Sequence, residues 1–163
     1  MRSSIVRMIL ILLHFPDMDD ATTTQVERRL AARGARLTAA RRAVLEELTG
    51  NQGPTTATDL GGALPSIPLS SLYRSLSVLS DAGILETVPG NDGILLYEPA
   101  EWLAGHHHHL VCRECGTVID MDVTNALEAA LEGVAAQAVA GHGFQSDGHR
   151  LTLEGRCAVC ADA

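Results

Sequence analysis

Four cysteines, arranged as Cys112-Arg113-Glu114-Cys115 and Cys157-Ala158-Val159-Cys160, constrain the folding of this 163-residue chain more than any other feature. Two Cys-x-x-Cys pairs brought together surround one tetrahedral ion with four sulfurs, the arrangement of a structural zinc site. The intervening chain must then fold back so that its end is tied to its middle. The competing readings are a disulfide framework and a thiol redox motif. A reducing compartment disfavours stable disulfides, and nothing around either pair has the thioredoxin pattern. Gly116 suits the tight knuckle turn after the first pair.

Immediately upstream stands His106-His107-His108-His109. In an extended run side chains alternate, so His106 and His108 serve one face and His107 and His109 the other. One tetrapeptide can therefore supply two sites. Neutral imidazole ligates zinc, iron, nickel and copper, and carboxylates commonly complete such sites. Candidates to complete them are Glu86, Glu98, Asp120, Glu128, Glu132 and His149. A flexible histidine loop is the alternative, and adjacency to Cys112 weighs against it.

Before these motifs the apolar pattern is helical. Thr24 and Glu27 have capping-box spacing, with Val26, Leu30 and Ala31 following until Gly34. Thr38 caps a second helix carrying Val44, Leu45 and Leu48, broken by Gly50, Gly53 and Pro54. A short third helix runs from Thr56 through Leu60 and Leu64 to Pro65. Over residues 70–82, Leu72, Leu76 and Leu79 form one stripe; Ser70, Arg74 and Ser77 lie opposite and Tyr73 at the edge. Residues 84–88 and 94–97 read as two strands around Pro89-Gly90-Asn91-Asp92-Gly93. Helices followed by a hairpin predict a winged helix, whose last helix enters the major groove with short polar and Arg side chains. Residues 98–105 read as a hinge. Strands near 107–112 and 117–121, a helix over 124–140 and a strand over 150–154 predict a separate α+β unit.

A net charge of −8 argues against a nucleic-acid partner until its distribution is considered. From residue 86 onward twelve acids accompany only Arg113, Arg150 and Arg156, whereas residues 24–48 hold Arg28, Arg29, Arg33, Arg36, Arg41 and Arg42 against three acids. A basic end survives inside an acidic protein. The apolar run over residues 5–13 is too short to span a bilayer, and no small-residue cleavage site follows it. Residues 1–17 are read as a non-native or disordered extension, with Met18 an alternative start. A cytoplasmic protein with no membrane partner is expected.

Taken in order, these motifs resemble the ferric-uptake-regulator superfamily of metal-dependent transcriptional repressors over roughly residues 24–160. They are Ala35-Arg36-Leu37-Thr38 with Arg41 and Val44-Leu45, Ser71-Leu72-Tyr73-Arg74 with Leu76, and Asp81-Ala82-Gly83-Ile84. The histidine run into Leu110-Val111-Cys112, Cys115-Gly116, His142-Gly143-Phe144, His149 and the final Cys pair complete them. The resemblance implies a winged-helix DNA-binding domain (18–98), a hinge (99–105) and a metal-binding α/β dimerisation domain (106–163). It implies a homodimer that closes onto palindromic operators in double-stranded DNA when a regulatory metal binds. Cys112, Cys115, Cys157 and Cys160 match structural zinc ligands. Ser70, Tyr73, Arg74 and Ser77, with Arg36, Arg41 and Arg42, are expected at the DNA. His106, His108 and His149 resemble one family metal site, completed by Glu128 when counted from Cys115 or by Glu132 when counted back from His149. His107 and His109 resemble the second, usual sensing site.

Two departures bear on the metal. Iron-, peroxide- and nickel-sensing members supply a histidine where this chain has Pro54. Zinc-sensing members use an acid matched by Glu86 and a cysteine matched by Ala100, so half of that pattern is met. Glu98 and Asp120 resemble further acids of the family. Glu86, Glu98, His107, His109 and Asp120 are therefore the expected regulatory set. It leans to the zinc-uptake-regulator branch, with zinc favoured over iron(II), manganese and nickel. No His-Glu-x-x-His helix or nucleophile motif points to an enzyme. A metal storage or chaperone protein would leave the helix over 70–82 without a purpose.

Overall fold

The computed structural model describes residues 18–161. The extension expected over 1–17 lies outside them. The chain divides into two compact units, residues 18–89 with 94–104, and residues 105–161 with the four-residue turn 90–93.

In the first unit α1 (Asp20–Ala31) begins at Asp19, whose side chain accepts from the Thr22 amide. The capping box expected at Thr24 does not form. Asp19 caps a turn earlier, and the Thr24 hydroxyl donates to the Asp20 carbonyl. Helix α2 (Ala39–Thr49) is capped by Thr38, as its sequence predicts. Thr55–Thr56 form a two-residue strand, β1, before α3 (Ala57–Ala63), and Thr56 also caps α3. Helix α4 (Leu69–Asp81) ends before Gly83, whose positive φ of 62° suits a residue without Cβ. Strands β2 (Leu85–Pro89) and β3 (Leu95–Pro99) pair antiparallel, and β1 pairs with the other edge of β3. A one-turn helix, α5 (Glu101–Ala104), closes the unit.

Spacings of three and four send Val26 and Leu30 from α1, Val44, Leu45 and Leu48 from α2, and Leu72, Leu76 and Leu79 from α4 into one core. Leu60, Ile84 and Leu85 complete it. With Leu72 and Leu76 inward, Ser70, Tyr73, Arg74 and Ser77 are left exposed.

The second unit contains β4 (His108–Cys112), β5 (Val118–Met121), α6 (Asn125–His142), β6 (Thr152–Gly155) and a terminal turn, α7 (Ala158–Ala161). Strand β4 is central, antiparallel to β5 and parallel to β6. Thr124 caps α6, which ends at Gly143 with φ 62°. No residue of α6 is fully buried. Among the described residues this unit buries only Val111, Cys112, Val118, His108 and His109. So small a core leaves the unit dependent on other staples.

Candidate metal centres and nucleic-acid face

The sheet topology brings the two cysteine pairs together. Strand β4 ends in Cys112, the chain turns through Gly116 at φ 73°, and the Gly116 amide donates to the Cys112 carbonyl at 3.0 Å. Because β6 runs parallel to β4 with Gly155 opposite Cys112, Cys157 arrives two residues later beside the first pair. All four sulfurs lie within 4.8 Å of one another, and Cys115 Sγ is 3.7 Å from Cys157 Sγ. A zinc ion with Zn–S bonds of about 2.3 Å requires tetrahedral sulfurs about 3.8 Å apart. The donor set fits that ion.

The thiol electrostatics run the same way. Backbone amides of Cys115 and Cys157 pull the Cys112 thiol down to about 6, and the Thr117 hydroxyl lowers Cys115. Cys160, crowded by Cys157 and Cys115, is pushed up to about 12. Four thiolates so close need a cation to coexist. Salt bridges cross the two knuckles reciprocally, Arg113 to Glu154 and Arg156 to Glu114.

A second cluster joins β4, α6 and the approach to β6. The His108 ring, 1% exposed, sets Nε2 2.8 Å from Glu128 Oε1, while His149 Nε2 is 3.1 Å from Glu128 Oε2. His106 Nε2 stands 3.3 Å from His149 Nε2 and 3.5 Å from Glu128 Oε1. Burial pushes the Glu128 carboxyl up, but the His108 hydrogen bond and the charges of His106, His108 and His149 outweigh it and hold the group below the usual carboxylate range. Three imidazoles and one carboxylate within 4.8 Å suit a divalent first-row ion. Glu132, one helical turn further along α6, is exposed and outside this group.

The pleat of β4 sends its other histidine positions to the opposite face. His109 is in register with Asp120 of β5, and Asp120 Oδ1 lies 3.8 Å from His109 Nε2 and 3.9 Å from His107 Nε2. His107 Nδ1 lies 3.1 Å from the Gly105 carbonyl; donation there turns Nε2 toward Asp120. Glu86 and Glu98 belong to the first unit, directly opposite one another on β2 and β3.

The exposed face of α4 carries Ser70, Tyr73, Arg74 and Ser77, with Tyr73 53% exposed and Leu69 61% exposed. Arg36 is also exposed, and Arg42 is half-buried. Arg41 differs: its guanidinium donates to the Arg36 carbonyl, and its buried Nε has no hydrogen-bond partner. Much of Arg41 is thus committed to holding the α1–α2 connection.

The sequence profile of the Ferric uptake regulator family matches residues 32–154. The chain belongs to that family. The Peroxide operon regulator of Bacillus subtilis is 28% identical over 132 residues, covering 78% of this chain and 86% of that protein. Among solved structures, the ferric uptake regulator of Vibrio cholerae superposes with a TM-score of 0.62 at 28% identity, over 80% of this chain and 98% of its own. A zinc-bound manganese uptake regulator superposes at 0.58 with 30% identity, over 81% and 98%. This ferric uptake regulator family protein is accordingly a metal-responsive transcriptional regulator, not an enzyme, of a family whose members act as dimers on DNA. The relatives are named for peroxide, iron and manganese, so family membership alone leaves the metal open. Among the described residues no helix is long and apolar enough to cross a membrane.

One packing feature of this family member escaped the sequence patterns. Trp102, in the stretch read as a hinge, is packed against the winged-helix core together with Leu103. The one signal that could have found it is a lone tryptophan in a stretch read as a hinge.

Proposed function

We propose that this regulator is a metal-dependent repressor of the zinc-uptake type, binding a palindromic operator as a metal-loaded homodimer in the cytoplasm. The zinc preference is supported by the match of Glu86 to an acid of zinc-sensing members, which the resemblance implies, and by the register that sets Glu86 opposite Glu98 on β2 and β3. The regulatory donors are Glu86, Glu98, His107, His109 and Asp120. The structural zinc is held by Cys112, Cys115, Cys157 and Cys160, and the further site by His106, His108, His149 and Glu128.

Ligation by residues of both units favours the arrangement in which those residues converge, so ligand binding selects one conformation of the repressor. A bound divalent ion supplies the positive charge that lets these carboxylates and imidazoles come together. In the homodimer, two copies of α4 spaced by about one DNA turn, roughly 34–36 Å, would match successive half-sites. Ser70, Tyr73, Arg74 and Ser77 face the groove, and Arg36 and Arg42 the flanking phosphates.

A second reading, iron(II) or manganese(II), is favoured by Asp120, whose oxygen beside both imidazoles makes the set richer in hard donors. The test is operator binding by the purified protein with its four-cysteine zinc retained. Zinc, iron(II), manganese and nickel are titrated at buffered free concentrations. Zinc alone driving binding at the lowest free level supports the first reading, and a response to iron(II) or manganese(II) replaces it with the second. No response to any metal refutes both. The Glu86→Ala variant should lose metal-dependent binding while keeping its cysteine-held zinc.

A further inference from the structure

Most of the stretch between the units is fastened to the first one. Beyond β3 the Ala100 amide donates to the Ile84 carbonyl at 2.9 Å, and α5 follows with Leu103 and Ala104 amides bonded to the Ala100 carbonyl. From this single turn the half-buried Trp102, the chain's one tryptophan, reaches two other elements. The Arg29 guanidinium of α1 lies over its ring, 4.4 Å from the centroid, within cation–π range. Its indole N–H donates to the Gly83 carbonyl at 2.8 Å. Gly83 is the left-handed residue that terminates α4, so Trp102 grips the chain where the exposed Tyr73–Arg74 helix ends. Immediately after α5 comes Gly105, at φ 86°, where a Cβ would meet nothing within 4 Å.

We infer that Trp102 is a positioning residue that clamps the outgoing chain to α1 and to the end of α4, so that residues 99–104 move with the winged-helix unit and the pivot narrows to Gly105. A connector loose over all seven residues of 99–105 would add conformational entropy that ligand binding has to remove before it could orient α4. A clamped connector spares most of that loss. The geometry of the clamp stands on the first unit alone. Its consequence for DNA binding rests on the metal-dependent repressor reading above.

The test uses the full chain with its four-cysteine zinc in place. Acrylamide quenching of Trp102 fluorescence is measured with and without added zinc(II), and amide exchange is followed over residues 99–107. The clamp predicts an unchanged quenching constant, with the Leu103 and Ala104 amides protected in both conditions. A rise in quenching of about twofold or more on zinc addition, or loop-like exchange at both amides, overturns it. Operator binding then tests the positioning role. Trp102→Ala should cut the ratio of zinc-bound to zinc-depleted DNA affinity by about tenfold, and Trp102→Phe, which keeps the ring but not the N–H, by less. Zinc affinity of the DNA-bound protein should fall by the same factor in each variant, because the coupling is reciprocal. An unchanged ratio in Trp102→Ala refutes positioning even if the clamp is present. A parent chain whose DNA binding ignores zinc refutes positioning of a zinc response together with the functional reading, while quenching and exchange still decide the clamp.

Discussion

Replacing Arg74 by Ala separates a DNA-facing cation from one spent on the fold. Arg74 is exposed on α4 between Tyr73 and the buried Ser75, whereas Arg41 donates to the Arg36 carbonyl and buries its Nε. Each phosphate contact contributes about 0.9 to the slope of log affinity against log salt, so one contact per protomer lost from a dimer lowers the slope by about 1.8. Between 50 and 200 mM salt the parent should therefore lose about tenfold more affinity than Arg74→Ala. Arg41→Ala should leave the slope near the parental value and instead lower thermal stability. Fluorescence anisotropy on a cognate and a scrambled duplex over that salt range reads both. If Arg74→Ala weakens only the cognate duplex at unchanged slope, the side chain reads a base rather than a phosphate. If it changes neither measure, or if Arg41→Ala flattens the slope as much, the division drawn from exposure and hydrogen bonding is wrong.

Glu128→Gln should lower zinc(II) affinity at the His106, His108 and His149 cluster by about a hundredfold, and Glu132→Gln by under about twofold, in competition with a chromophoric chelator. Chelating the four-cysteine zinc, or making Cys160→Ser, should unfold the second unit while the first, with its continuous aliphatic core, keeps its amide protection. Asp19 is held below the usual carboxylate range by the Thr22 amide, so its contribution to α1 is present above the unfolded value of about 3.9 and lost as pH falls through the lower folded one. The helicity difference between the parent and Asp19→Ala should accordingly vanish on the acid side of that window, as followed by circular dichroism.

The parts of this fold that were legible in sequence are those written locally. Thr38, Thr56 and Thr124 announce their helices because a hydroxyl three residues before an amide is a short-range signal. The same rule misled at Thr24, where Asp19 offered the better acceptor and left a threonine inside the helix. The strand at Thr55–Thr56 is too short for any periodicity and exists because β3 presents an edge. The parallel pairing of β6 with β4 depends on chain distant in sequence, yet it brings Cys157 to Cys112 and His149 to His108. Counting could not choose between Glu128 and Glu132, since both lie one turn apart on α6; only the packed position of His108 separates them. The stretch 99–105 looked like a linker because four-residue helices leave almost no pattern, and its anchorage lies in side-chain contacts to α1 and Gly83.

Strand β4 also bears on how such a protein can change over generations. Its pleat sorts the histidines by parity: an even-numbered substitution edits the cluster around Glu128, an odd-numbered one the cluster around Asp120. Selection can therefore retune one site while leaving the ligands of the other in place, although they are neighbours in the gene. The same economy creates a shared point of failure. A single proline at 109, by removing the amide that donates to the Leu151 carbonyl in the ladder both clusters hang from, would silence the two together.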